Sequence, residues 1–110
     1  MLAVILESGE PTRLYTAFSL LVSTAVDGEQ ARGLVSFGAL PALLRDDGAD
    51  RAFAELRAAA GELDALMLYV CAAALDVSRA DRADVEARIG AVRSTPRFLK
   101  ETAGARLVVV

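Results

Sequence analysis

The 110-residue sequence contains no histidine, no tryptophan and a single cysteine. Without histidine there is no Ser-His-Asp triad, no Cys-His dyad, no imidazole base and no ordinary catalytic zinc site. A lone Cys71 excludes intrachain disulfides, CxxC redox pairs and thiolate zinc clusters. Lysine is nearly absent, Lys100 being the sole lysine among 12 basic residues. The formal net charge of −3 leaves no basic field for general nucleic-acid binding. The longest apolar run, Ala65 to Leu75, is too short to span a bilayer. The apolar stretch at the start, Met1 to Leu6, is too short for a signal peptide and lacks a basic leading region. No membrane role is expected, and the reading is of a soluble cytoplasmic protein. Ser8-Gly9 lacks the glycine pattern of a phosphate or dinucleotide loop, and Asp81, Asp84 and Glu86 lack calcium-loop spacing. No metal or cofactor is implied.

Apolar residues, by contrast, make up 55% of the chain, which excludes disorder over most of its length. The length suits one domain over residues 1–110. A mean hydropathy of +0.41 exceeds what a small domain buries alone, so a homo-oligomer is expected.

Leu2 to Leu6, Gly33 to Phe37 and Leu66 to Val70 are short continuous apolar runs, as in strands covered on both faces. Leu107 to Val110 is a fourth, placing the last residues inside or beside the core. Between them lie helical patterns. Pro11 opens one carrying Leu14, Phe18, Leu21, Val22 and Ala25, which Asp27-Gly28 stops. A brief Ala/Leu segment follows Pro41, and a turn is expected at Asp46-Asp47-Gly48. Asp50 can cap a helix bearing Phe53, Leu56 and Ala60, which Gly61 ends. Ser94 or Thr95 before Pro96 starts another, with Phe98 and Leu99 as its apolar residues and Gly104 past its end.

Ala72 to Arg93 is ambiguous. Ser78-Arg79-Ala80-Asp81 has capping-box form, and Val85, Ile89 and Val92 continue a helix, yet Ile89 to Val92 also reads as a short strand. The alternation of strands and helices predicts an α/β fold. It is a three-layer α/β/α arrangement with a mainly parallel sheet of about five strands.

Ligands in such sheets sit beyond the carboxyl ends of the strands. The loops expected there are Glu7 to Pro11, Phe37 to Pro41 and Cys71 to Arg79. Cys71 is the strong nucleophile of the set. A helical turn beginning at Ala72-Ala73-Ala74 would aim free N–H groups at its sulfur and favour the thiolate. A free cysteine is equally at home as a small buried hydrophobe, and that reading stands beside the reactive one. Ser8, Phe37, Gly38 and Arg79 are candidate site-lining residues. Glu7 and Glu10 flank a turn as a possible carboxylate pair, though acids there are usually solvated or capping.

Leu66-Met67-Leu68-Tyr69-Val70-Cys71 resembles the strand-then-cysteine signature of the DsrE/DsrF-like family, whose members are often labelled peroxiredoxin-like. The resemblance extends to the first helix with Asp27-Gly28, to Leu34-Val35-Ser36-Phe37-Gly38 with Leu40 and Leu43-Leu44, and to Phe98-Leu99 with Ala105 to Val110. It implies a three-layer α/β/α domain that assembles as a trimer or hexamer. It also implies intracellular sulfur transfer, with Cys71 carrying sulfane sulfur as a persulfide. Sulfur donor and acceptor proteins, or small thiols, would be the partners. Three alanines after Cys71 depart from the family's glycine or polar residues.

Overall fold

The structure, a computed structural model, describes residues 1–45 and 51–110, apart from the side chains of 51 and 52. The elements run β1 (Leu2–Leu6), α1 (Pro11–Val26), β2 (Ala31–Val35), α2 (Ala39–Leu44), α3 (Arg51–Gly61), β3 (Leu66–Cys71), α4 (Ala72–Ser78), α5 (Arg82–Arg88), β4 (Val92–Arg93), α6 (Thr95–Glu101) and β5 (Arg106–Val109). The five strands form one sheet in the order β4-β3-β2-β1-β5, with every pairing parallel.

Three steps carry the chain from β1 to β4 in one direction, and the fourth returns it to the far side of β1. Right-handed crossovers therefore place α6 on the face opposite the earlier helices. The packing agrees. Leu21 of α1 and Leu68 of β3 close over the side-chain-free Gly33. The next residue of β3, Tyr69, points to the other face. There its ring meets Phe98 of α6 edge-on, with centroids 6.2 Å apart. Helices α1 and α3 share their layer through Phe18 and Phe53, 5.3 Å apart and nearly perpendicular. The result is the expected three-layer α/β/α architecture.

The apolar runs give strands because both sheet faces are covered. β1 and β2 are mostly buried, and Phe18 and Phe98 are fully buried on opposite sides of the sheet. α1 starts where Pro11 needs no N–H partner, with Glu10 accepting from the amides of Thr12 and Arg13. The second strand lies two residues earlier than the run Gly33 to Phe37 suggests. Ala31 and Arg32 enter it because Ala31 N–H bonds Ala65 O, a long-range pairing that hydropathy does not reveal. Ser36 leaves it as the Leu40 amide bonds its carbonyl to start α2.

The ambiguous stretch resolves into two helices and a strand. Ser78 is not the cap of a helix. Its hydroxyl donates to Leu75 O at the end of α4, and Arg79 turns the chain at φ 55°. Asp81 caps α5 by accepting from Asp84 N–H. α5 stops at Arg88, and Val92–Arg93 makes the two-residue β4. β5 runs along the sheet edge beside β1, with Leu107 and Val109 more than half exposed. The turn expected at Asp46-Asp47-Gly48 and the Asp50 cap fall outside the described residues.

Candidate functional site

Leu6, Val35 and Val70 stand side by side at the carboxyl ends of β1, β2 and β3. The parallel sheet therefore delivers the following residues to one edge. Cys71 ends β3 and is at the same time the residue before α4, with extended backbone (φ −64°, ψ 125°). Its side chain makes no capping bond to α4. The first-turn N–H groups of Ala72 to Ala74 lie just beyond it, as a strand-to-helix junction requires.

Alternation along β3 puts Cys71 on the same face as Tyr69, the face that α6 covers. The sulfur lies 3.9 Å from the hydroxyl oxygen of Thr95, the first residue of α6. Cys71 itself is 2% exposed. Its register partner across the β3–β4 pair is Arg93. The Arg93 guanidinium stacks 4.7 Å above the Tyr69 ring and donates to Val92 O. It also pairs with Glu101 at 3.4 Å. Glu101 accepts from Arg97 at 2.8 Å as well. The Arg97 bond, joined by the Arg93 charge, holds the Glu101 carboxyl below its ordinary value. Arg93 is thus a fixed cation one strand away from the sulfur.

The other sequence candidates fall elsewhere. Ser8 is half-buried, and its hydroxyl oxygen accepts from Glu10 N–H at 3.1 Å. Its loop meets the β2–α2 turn closely: a methyl group on Gly9 would lie 2.3 Å from Gly38 O. Phe37 is exposed on that turn. Arg79 is exposed at the far end of α4, about 12 Å along the axis from Cys71. No hydrogen bond among the described residues joins Cys71 to Ser8, Phe37, Gly38 or Arg79. Glu10 is a helix cap, its carboxyl drawn below its ordinary value first by the Thr12 hydroxyl. Among the described residues no group of three or more His, Cys, Asp or Glu could hold a metal ion. No helix there is long and apolar enough to cross a membrane.

Sequence reasoning assigned no site role to Thr95 or Arg93. Thr95 read only as a helix start. Arg93 depended on a register set by a strand of two residues, too short to leave a period.

The crystal structure of the ychN protein from E. coli matches this architecture with a TM-score of 0.69, covering 99% of this chain and 97% of that one at 15% identity. The chain has the DsrE/DsrF-like fold. At that identity the likeness carries the fold and no residue role. No family model and no curated protein matches the sequence.

Proposed function

We propose that this protein is a cytoplasmic, homo-oligomeric sulfur-relay protein that carries sulfane sulfur as a persulfide on Cys71. The observation supporting it is the position of Cys71. In a DsrE/DsrF-like fold it ends a sheet strand at the carboxyl edge, heads a helix and has the Thr95 hydroxyl beside its sulfur.

The Cys71 thiolate attacks the outer sulfur of a sulfane donor. A new S–S bond forms on Cys71, the donor's S–S bond breaks, and the donor leaves as a thiolate. An acceptor thiolate then attacks the outer sulfur and Cys71 leaves as the thiolate. With one cysteine in the chain, the acceptor is a small thiol, another protein or Cys71 of a neighbouring subunit. The Thr95 hydroxyl, 3.9 Å from the sulfur, stands beside it in both steps. The tight packing means that reaction requires local opening.

A second reading is favoured by one specific observation, the 2% exposure of Cys71. It makes the residue a packing cysteine in a non-catalytic ligand-binding or assembly module. Incubation with inorganic polysulfide, followed by intact mass, separates the two. The proposal expects addition of one sulfur atom to the wild type, reversed by a small thiol and lost in Cys71→Ser. Labelling retained in Cys71→Ser refutes it. A wild-type thiol that reacts only after unfolding establishes the packing role instead.

A further inference from the structure

The carboxyl ends of four strands set a row of polar residues through Cys71. Leu6, Val35 and Val70 share one register row, so the residues after them, Glu7, Ser36 and Cys71, share the next. The ladder continues past the ends of β1 and β2: Ser36 N–H bonds Leu6 O at 2.9 Å, and Glu7 N–H bonds Val110 O at 2.8 Å. Arg93 extends the row on the other side as the register partner of Cys71. Alternation puts the row on the face that α6 covers, with Ser36 between Glu7 and Cys71. Neighbouring strands lie about 4.8 Å apart, so Ser36 and Cys71 are one strand spacing from each other.

Ser36 and Thr102 are the two buried polar residues among those described, each 6% exposed. The Thr102 hydroxyl donates to Phe98 O at 2.8 Å. The Ser36 hydroxyl has no hydrogen-bond partner among the described residues, although its N–H bonds Leu6 O and its carbonyl accepts from Leu40 N–H. A buried serine oxygen is ordinarily bonded. No fully enclosed side-chain oxygen among the described residues lacks a partner, so the small exposed part of Ser36 includes its hydroxyl. Ser36 therefore offers an uncommitted donor at the carboxyl edge. The guanidinium on the other flank of Cys71 is already engaged, since Arg93 stacks on Tyr69 and bonds Val92 O and Glu101.

In the resting protein the Cys71 sulfur has the Thr95 hydroxyl beside it and no hydrogen bond to Ser36. A persulfide changes the reach. Its S–S bond carries the outer sulfur about 2.05 Å beyond the first, nearly half a strand spacing. We propose that the Ser36 hydroxyl receives the transferred sulfur, donating a hydrogen bond to the outer sulfur of the Cys71 persulfide and favouring its anion. Ser36 keeps its proton and forms no covalent bond. This role rests on the sulfur-carrier reading of Cys71 and adds a second strand to that site.

The test loads the intact protein with inorganic polysulfide, removes the excess and follows alkylation by iodoacetamide against pH, read by intact mass. Ser36→Ala should take up one sulfur atom. It should melt within about 2 °C of the wild type, because the hydroxyl it removes has no partner. The pH midpoint for alkylating its persulfide should lie about one pH unit above that of the wild type, the tenfold effect of one hydrogen bond to a charged sulfur. The alkylation profile of unloaded Cys71 should be the same in both proteins. Equal midpoints for the two persulfides overturn the role of Ser36 and leave sulfur carrying at Cys71 standing. An equal displacement of the unloaded profile also overturns it, because the hydroxyl would then act on the resting thiol. A melting temperature lower by more than about 2 °C does the same, because the hydroxyl would then be part of the packing. A wild type that takes up no sulfur removes the carrier reading and this role together.

Discussion

Gly90, in the connection from α5 to β4, offers a test of how the candidate site is built. A methyl group at this position would lie 2.0 Å from Leu68 O and 2.9 Å from Leu68 C. Both are main-chain atoms of a central strand, and neither can rotate away. Carbon–oxygen contacts settle at roughly 3.3 Å. Gly90→Ala therefore forces the connection back by about 1 Å. The retreat pulls on the bond from Val70 N–H to Ala91 O, now 2.9 Å. It also pulls on the register that sets Arg93 beside Cys71. Overpacking of this kind costs about 1–3 kcal/mol, and a weakened hydrogen bond adds about 1 kcal/mol. For 110 residues, at about 4 °C per kcal/mol, the melting temperature should fall by roughly 8–16 °C. Gly61→Ala is the control. Its methyl group would meet nothing within 4 Å, and the residue closes α3 outside the left-handed region. It should hold stability or raise it by up to about 1 kcal/mol. Scanning calorimetry reads both variants, and maleimide labelling of the native proteins gives a second measure. Gly90→Ala should label at Cys71 faster than the wild type, because the shift moves Arg93 and the head of α6. A Gly90→Ala protein that melts within about 2 °C of wild type and labels at the same rate would refute the close docking of β4 on β3.

Phe98→Ala removes a fully buried ring and its edge-on contact with Tyr69. Chemical denaturation should show a loss of about 3–5 kcal/mol, and a loss under 1 kcal/mol would mean that α6 is not anchored through this ring. Acid should destabilise the fold through Glu101. Its carboxyl is held below the ordinary value of 4.5 by the Arg97 hydrogen bond first and the Arg93 charge after it. A carboxyl lowered on folding stabilises the native state above its unfolded value and loses that contribution as pH falls through the folded one. The melting temperature should therefore drop as pH falls below about 4.5, and Glu101→Gln should flatten part of that drop. An identical acid profile in Glu101→Gln would refute the Arg93–Glu101–Arg97 cluster.

The fold was legible wherever burial repeats at short range. Leu2 to Leu6 and Leu66 to Val70 read as strands because parallel strands are covered on both faces. α1 and α6 read as helices because Pro11 and Ser94-Thr95-Pro96 sit where helix starts tolerate proline. Legibility failed where a tertiary partner decides. Ala31 joins β2 through Ala65, 34 residues away. β4 is two residues held by register against Val70 and Cys71. Ser78 reads as a cap with Asp81 as its capping-box partner, and the left-handed turn at Arg79 makes Asp81 the cap instead. The site followed the same rule. Cys71 was visible as the strong nucleophile after a strand, whereas Thr95 and Arg93 reach it only across the sheet.

Cys71 belongs to the buried core cluster, yet it stands on the side of the sheet where the cover is thinnest. The sulfur faces the α6 layer, the side of the sheet with a single seven-residue helix over it, and its neighbour Thr95 is itself exposed. Three separable contacts bear on that helix: the Ser94 cap to Arg97 N–H, the Phe98 ring against Tyr69 and the Glu101 bond to Arg93. Short elements held by few contacts open at lower free energy than the whole domain. Loosening any one of the three should therefore speed reaction at Cys71 well before the rest of the sheet unfolds. A packing cysteine in the true core would become reactive only in step with global unfolding. Comparing the denaturant dependence of Cys71 labelling with that of unfolding separates these cases. A shallow dependence supports a thiol that local opening exposes to a sulfur donor. Coincident curves would leave Cys71 as part of the packing.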